Sequence, residues 1–399
     1  MAKPKNMRYY TTQAIRSKGA HYNFVIGERS NGKTTAALCD ILSDYYQNGR
    51  KGAIFRQMEE DIKGHKGASL FAGVVAAGLL EEITNGEFHN IVFRNRGYHL
   101  VKLTDEGEEI VQKEPFAHIF AISQGVHYKS NSYPNVGTIV FDEFMRADHA
   151  YLIDEVVQFL NLVSTIVRDK DDAVIFLIAN TVSWNSPYFK KFGLHDVSKM
   201  KPGELAEFTY KKKRPTGEDI AMKVAVEYCE DTASYGGKPS DVYFLIDDER
   251  VNMITDGSFA IPNYPQCPHA FSRENVKCTY WIDTGETRVE TASGAEMRTR
   301  VITRARLMKV GRDLFVFVDT VDESRYEFLK DERRDLFYDL EFSAKLNHFI
   351  DPAMPYSDRR THFLVDAIRA GRMFFESNDA GENLMYYIAE AGKRSITAL

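Results

Sequence analysis

The sequence predicts an α/β fold, a mostly parallel sheet covered by helices and followed by a β-rich α+β region, on three observations. From His21 to about Leu194, short apolar β-rich runs alternate with helix-like segments, the order that a parallel sheet with crossover helices requires. Three of the runs, FAHIFAIS, TIVF and AVIFLIA, are almost unbroken in apolar character, as strands buried on both faces are. A glycine-bearing turn, Gly27 to Thr34, joins the first run to the first helix-like segment.

Taken in order, His21 to Ile26 is the first strand and Thr34 to Asn48 the helix after it. Gly52 to Arg56, Phe116 to Ser123, Thr138 to Phe141 and Ala173 to Ala179 supply the second to fifth strands. The character changes after Asp196: Ser198 to Glu218 is rich in Lys, Pro and Gly, holds the run Lys211 to Arg214, and reads as a linker. Beyond it, Val242 to Ile246, Cys278 to Asp283, Arg298 to Met308 and Asp313 to Asp319 alternate or cluster as strands. A further apolar strand at Met373 to Glu376 and a short helix from Glu382 close the chain. The expected domains are 1–200, a 201–270 linker or lid region, and 271–399, with no internal repeat.

Composition fits this division: 399 residues, 44% hydrophobic and 27% charged, describe a globular protein with room for two domains. A net charge of −6 gives no global basic excess, so any polyanion must be met by a local patch. Cys39, Cys229, Cys267 and Cys278 have neither C-x-x-C spacing nor the density of a disulfide scaffold, which points to a reducing compartment and away from zinc. No run approaches the roughly 18 apolar residues of a membrane span, so a soluble intracellular protein is expected.

The turn itself carries chemistry. Gly27-Glu28-Arg29-Ser30-Asn31-Gly32-Lys33-Thr34, followed by Thr35, matches the phosphate-binding loop G-x-x-x-x-G-K-[ST], with a strand before it and a helix after it. The glycines let backbone N–H groups curl around phosphate oxygens at a helix N-terminus, where the dipole favours negative charge. Lys33 then reaches the β and γ phosphates and the Thr34 hydroxyl ligates Mg²⁺. A P-loop NTPase using ATP and Mg²⁺ follows.

Asp142 and Glu143 close the apolar run Thr138 to Phe141, where an α/β sheet puts its ligand crevice. Adjacent residues point in different directions, so Asp142 holds the metal while Glu143 orients and deprotonates the attacking water. A glutamate beside the metal carboxylate indicates repeated hydrolysis, as in ATP motors. Either Arg29, inside the loop, or Arg146, three residues past Glu143, supplies positive charge to the transferring phosphoryl group. Arg146 either reaches a neighbouring subunit's nucleotide or is a surface arginine. Asn180, at the end of the fifth strand, either senses the γ phosphate or caps the next turn.

GERSNGKTT, AISQGVHYKSNSYPNV and NVGTIVFDEFMR together resemble the genome-packaging (DNA-encapsidation) ATPases of small, short-tailed, protein-primed, phi29-like bacteriophages, distant relatives of terminase large subunits. The resemblance covers the ATPase half strongly and the rest by length and layout. It implies an additional-strand, catalytic-glutamate ATPase domain joined by a linker to a C-terminal ribonuclease-H-like domain. It also implies a homomeric ring, a pentamer, that docks on the capsid portal in the host cytoplasm and drives double-stranded DNA inward, with a structural RNA often present. Position by position, Lys33 and Thr34 become phosphate and Mg²⁺ contacts, Asp142 the metal carboxylate, Glu143 the base and Arg146 a trans arginine finger.

A packaging motor needs basic side chains that exchange counterions with DNA phosphates. Arg56, Lys129 and Lys211, Lys212 and Lys213 are the candidates, each open to the alternative of a solvated charge. An active terminase nuclease needs acids gathered around two metals. Asp283, Asp319 and Glu376 either form such a cluster or are inert strand ends, and a packager of unit-length, protein-capped genomes needs no cutter. The remaining alternative is a nucleotide-dependent capsid-assembly or scaffold protein without translocation.

Overall fold

The computed structural model describes residues 10–29, 31–128, 132–145, 151, 152, 154–168, 170, 172–180, 186–194, 197, 199–213, 219–230, 276–292, 295–310, 313–322, 326, 337–343, 348–350, 364, 366, 367, 370–377, 380, 381 and 383–388. They fall into two compact units: Met1–Ala147, Asp154–Ser183 and Asp196–Ala260 form the first, and Asp148–Ile153, Trp184–His195 and Ile261–Leu399 the second.

The first unit begins with helix α1 (Gln13–Arg16), the P-loop strand β1 (Tyr22–Gly27), helix α2 (Lys33–Asn48) and strand β2 (Lys51–Arg56). Three short helices follow, α3 (Gly64–Ala68), α4 (Ala72–Ala76) and α5 (Leu79–Ile83), then strands β3 (Asn90–Arg94), β4 (Gly97–Leu103), β5 (Glu109–Val111) and β6 (Ala117–Ala121). Helix α6 (Gly125–Tyr128), the acidic strand β7 (Val136–Asp142), helix α7 (Glu155–Val167) and strand β8 (Val174–Asn180) come next. Past α8 (Pro187–Lys191), strands β9 (Leu205–Lys213) and β10 (Asp219–Tyr228) return to the same sheet.

That sheet runs β3-β4-β6-β2-β7-β8-β1-β10-β9, with β5 paired to β4. Strands β6, β2, β7, β8, β1 and β10 run parallel to one another, while β4 and β9, at the two ends of this run, are antiparallel to it. Strand β8 therefore separates the P-loop strand from the acidic strand. All seven residues of β7 are buried and five of the six in β1, as central parallel strands covered on both faces must be. Phe141 stacks on Phe159 of α7 at 5.4 Å between ring centroids, and Phe55 meets Phe159 edge-on at 5.9 Å. A fully buried phenylalanine is worth about 2–3 kcal/mol, so this cluster fixes α7 against the strand that carries the acids.

All five expected parallel strands are present within two residues at each end. Two regions depart from the sequence reading. The stretch read as a linker contains β9 and β10, and β10 is the parallel neighbour of β1, in register from Tyr22 with Val224 to Ile26 with Tyr228. Its Val224, Ala225 and Val226 are fully buried, and a backbone row that completes a sheet next to the P-loop strand has every hydrogen-bonding reason to be strand. The β3–β4–β5 antiparallel extension, between the second and third expected strands, was not anticipated from the pattern. The expected strand at 242–246 lies outside the described residues.

The second unit holds strands β11 (Val276–Ala292), β12 (Ala295–Val310), β13 (Asp313–Asp322), β14 (Phe337–Ser343), β15 (His348–Ile350) and β16 (Met373–Phe375). Its sheet order is β15-β14-β11-β12-β13-β16. Strands β11, β12 and β13 form an antiparallel meander, and β14 is parallel to β11. Tyr280, Ile282, Ala305, Val316, Val318 and Leu340 make its core. Helix α8 packs within this unit: Ser186 caps it by accepting from Tyr188 N at 3.3 Å, and Lys190 lies 4.5 Å over the Tyr386 ring. Residues 184–195, expected in the first domain, thus belong to the second unit.

Candidate nucleotide site

The P-loop is built where β1 ends against β10. Cys229 N donates to Ile26 O at 2.8 Å, and a Cβ on Gly27 would lie 2.9 Å from the Cys229 Cβ and 3.1 Å from Asn31 Nδ2. Only glycine fits that approach. Gly32, at φ 94°, occupies the left-handed region as the N-cap of α2, which the same absence of a Cβ permits. Asn31 is buried, and its carbonyl accepts from Tyr10 N at 3.1 Å, so the N-terminal segment braces the loop from outside.

Lys33 is curled into this loop. Its ammonium donates to Gly27 O at 3.1 Å, to Glu28 O, to Asn31 Oδ1 at 3.0 Å and to Asn180 Oδ1 at 3.4 Å. Burial lowers its pKa to about 8, against the pull of nearby Cys229, Asp142 and Glu28. Four neutral acceptors surround one buried cation, an arrangement that an incoming phosphate oxygen can improve on charge grounds. Asn180 sits opposite Gly27 across the β1–β8 register, and its side chain reaches the Lys33 ammonium at the loop.

Thr34 Oγ1 donates to Asp142 Oδ1 at 2.8 Å, joining the helix start to the end of β7. Asp142 is 5% exposed at its side chain, and burial raises its carboxyl above the ordinary range, opposed by Arg56, Thr34 and Lys33. A hydroxyl and a carboxylate held together are hard oxygen donors of the kind that suits Mg²⁺ when phosphates complete the shell. Among the described residues no group of three or more His, Cys, Asp or Glu is placed to hold a metal ion.

Glu143 leaves the sheet in a left-handed conformation, φ 61°, which turns its side chain away from that of Asp142 and leaves it 63% exposed. Such backbone conformations cost non-glycine residues on the order of 1–2 kcal/mol and concentrate at functional positions. Arg56, at the end of the adjacent strand β2, bridges both acids: Nη2 lies 2.7 Å from Asp142 Oδ2 and Nη1 2.5 Å from Glu143 Oε2. The sequence offered Arg56 as a DNA contact; in the structure its guanidinium lies between the two carboxylates. Strand order brings it there, because β2 lies beside β7, and nothing in the linear pattern reveals that adjacency.

The other expected residues divide. Arg29 is in the loop and exposed, and Thr35 lies in the first turn of α2. Lys211 is exposed on β9, the outer strand of the sheet, and Lys212 and Lys213 continue the same strand. Lysines on an outer strand also discourage pairing with another sheet. Ser30, Lys129 and Arg146 lie outside the described residues. In the second unit, Asp319 accepts from Arg304 Nε at 2.8 Å and from Arg306 Nη2 at 2.8 Å, Glu376 is exposed, and the Asp283 side chain lies outside the described residues.

Residues 4–202 match the family model of the podovirus DNA encapsidation protein (Gp16). Over 194 residues the chain is 30% identical to the DNA packaging proteins of Bacillus phage PZA and Bacillus phage phi29, covering 48% of this chain and 52% of each relative. The match to the DNA packaging protein of Bacillus phage B103 is 30% over 183 residues, 44% of this chain and 50% of that one. The chain thus spans about half the length of the curated relatives it matches. Among solved structures, the bacteriophage Phi-29 viral genome packaging motor assembly gives a TM-score of 0.53 at 17% identity, covering 97% of this chain and 100% of that one. The Phi-28 gp11 DNA packaging motor gives 0.51 at 16%, covering 96% and 98%. At these identities the likeness is one of fold.

Proposed function

From the match of residues 4–202 to the podovirus DNA encapsidation family, we propose that this protein is an ATPase that drives double-stranded viral DNA into a preformed capsid as a ring at the portal. The observation that carries the chemistry is the meeting of Lys33, Thr34, Asp142, Glu143 and Asn180 at the C-terminal ends of the central strands β1, β7 and β8. The separation of β1 from β7 by β8 supports the additional-strand, catalytic-glutamate class.

In this reading the loop N–H groups and Lys33 bind the β and γ phosphates, while Thr34 and Asp142 would hold Mg²⁺. Mg²⁺ supplies charge neutralisation at the phosphates when bound. Glu143 takes the proton from the attacking water, and for that its carboxylate must leave Arg56, which holds it at 2.5 Å. Asn180, already within reach of Lys33, reports on the γ phosphate. Arg146 acts on a neighbouring subunit's nucleotide, and Lys129 and the Lys211–Lys213 strand meet DNA phosphates. Mixing Arg146→Ala with Lys33→Ala subunits, each inactive alone, is expected to restore part of the ATPase activity; no rescue would remove the trans assignment.

The order β13-β12-β11-β14, three antiparallel strands with the fourth parallel to the first of the chain, supports a ribonuclease-H-like second domain. Its nuclease is read as vestigial, because Asp319 is neutralised by two arginines rather than free for metal. ATP hydrolysis with and without double-stranded DNA tests the whole reading. Glu143→Gln is expected to lose about 10²–10⁴-fold in kcat while still binding ATP, and normal turnover by that variant would overturn the assignment of the base.

A further inference from the structure

The end of β2 is tied to a second place in the first unit by a chain of side chains that the nucleotide site does not use. Three residues past Arg56, Glu59 starts a 3-10 turn (Glu59–Asp61), its side chain 11% exposed. Its Oε1 accepts from Arg96 Nη2 at 2.6 Å and from Lys63 Nζ at 3.2 Å, and its Oε2 is buried with no hydrogen-bond partner among the described residues. Arg96 in turn donates from Nη1 to Tyr128 Oη at 2.8 Å. Tyr128 is the last residue of α6; its oxygen also accepts from Ala121 N at 3.3 Å, and its ring meets Phe120 edge-on at 5.1 Å.

Arg96 is held at this junction by its backbone. It is the second residue of the two-residue β3–β4 hairpin turn, closed by the pairing of Arg94 with Gly97. Asn95 and Arg96 have φ of 50° and 61°, the left-handed pair such a turn demands. The second position of that turn favours glycine, and an arginine there accepts backbone strain. Its carbonyl accepts from Ile119 N at 2.9 Å, which fastens the tip to β6. Strain, backbone anchoring and two short charge-assisted or hydroxyl bonds converge on one guanidinium, between the β2 end that presents Arg56 and the segment Ile122–Tyr128.

We propose that Arg96 is a positioning residue: through Glu59 and Tyr128 it couples the 122–128 segment to the end of β2, and so to the Arg56 contact that holds Glu143. The proposal rests on the ATPase reading of the site. Coupling between two sites is reciprocal for binding free energies, so a nucleotide that shifts Arg56 must alter the 122–128 segment, and a ligand on that segment must alter Glu143.

The test uses the full chain with Mg²⁺ and a non-hydrolysable ATP analogue, reading amide hydrogen exchange over 122–128, alongside ATPase rates with and without double-stranded DNA. Wild type is expected to show nucleotide-dependent exchange there. Arg96→Ala and Tyr128→Phe are expected to lose that dependence and at least half of any DNA stimulation, with nucleotide affinity within about threefold of wild type and basal turnover retained. Arg96→Ala also strips a buried glutamate of a partner, so Glu59→Gln/Arg96→Ala serves as the variant that folds without an uncompensated charge. Nucleotide-dependent exchange that persists in the folded double variant would overturn the coupling. Wild type that binds nucleotide and shifts 122–128 but shows no DNA stimulation would sink the translocation reading and leave the coupling standing. Wild type with no shift at all would overturn the coupling.

Discussion

Individual residues explain how the site is tensioned. Arg56 neutralises two carboxylates, one buried and one exposed; Arg56→Ala is expected to lower stability by about 1–3 kcal/mol, measured by urea denaturation, because Asp142 then loses a charged partner inside the protein. Glu227 offers a pH test. Burial raises its carboxyl from 4.5 to about 7, although Tyr10 Oη donates to it at 2.6 Å. The folded state therefore holds this proton more tightly than the unfolded state, and stability contributed below pH 4.5 is lost as pH rises to about 7. Glu227→Gln is expected to be more stable than wild type by on the order of 2–3 kcal/mol at pH 8, shrinking to about 1 kcal/mol at pH 5. An advantage independent of pH would show that the carboxyl is not held protonated. Of these residues, Lys33, Thr34, Asp142 and Glu143 were legible in the sequence because their motif fixes their spacing. Arg56, Tyr10 and Glu227 were not, because each acts across strands or segments far apart in the chain.

At the scale of elements, the apolar runs gave the parallel strands because a strand buried on both faces writes its burial into every residue, as in the seven buried positions of β7. The β3–β4–β5 extension leaves no comparable trace: β3 is only partly buried, with the pattern exposed at both ends. Strands β9 and β10 were obscured by the Lys211–Arg214 run, whose charge reads as solvated chain; Lys211, Lys212 and Lys213 lie on the outer strand β9, which such charge suits. A fragment ending at residue 202 lacks β10, which would leave β1 without one parallel neighbour and Gly27 without Cys229 beneath it. Compared with a fragment ending at 260, it is expected to be insoluble or to melt at least 10 °C lower by thermal denaturation; equal stability would show that β10 contributes nothing to the P-loop's support. Gly27→Ala in the full chain is expected to weaken ATP binding at least tenfold, because its Cβ has no room against Cys229.

At the scale of the whole molecule, the chain forms two compact units. The first carries the proposed nucleotide site and most of the match to the DNA encapsidation family, and the second carries a sheet whose one buried acid among the described candidates, Asp319, is bound by arginines. In the proposed motor, ATP hydrolysis would fall on the first unit. Plasmid incubated with the full chain and Mn²⁺ is expected to remain uncut, and Asp319→Ala is expected to change nothing in that assay. The measurement that bears most directly on the central claim is ATP turnover by the full chain as double-stranded DNA is titrated in, for wild type and Glu143→Gln together. Turnover that rises with DNA in wild type and is lost in Glu143→Gln at both ends of the titration is the expected result; turnover that ignores DNA, or survives in Glu143→Gln, would contradict it.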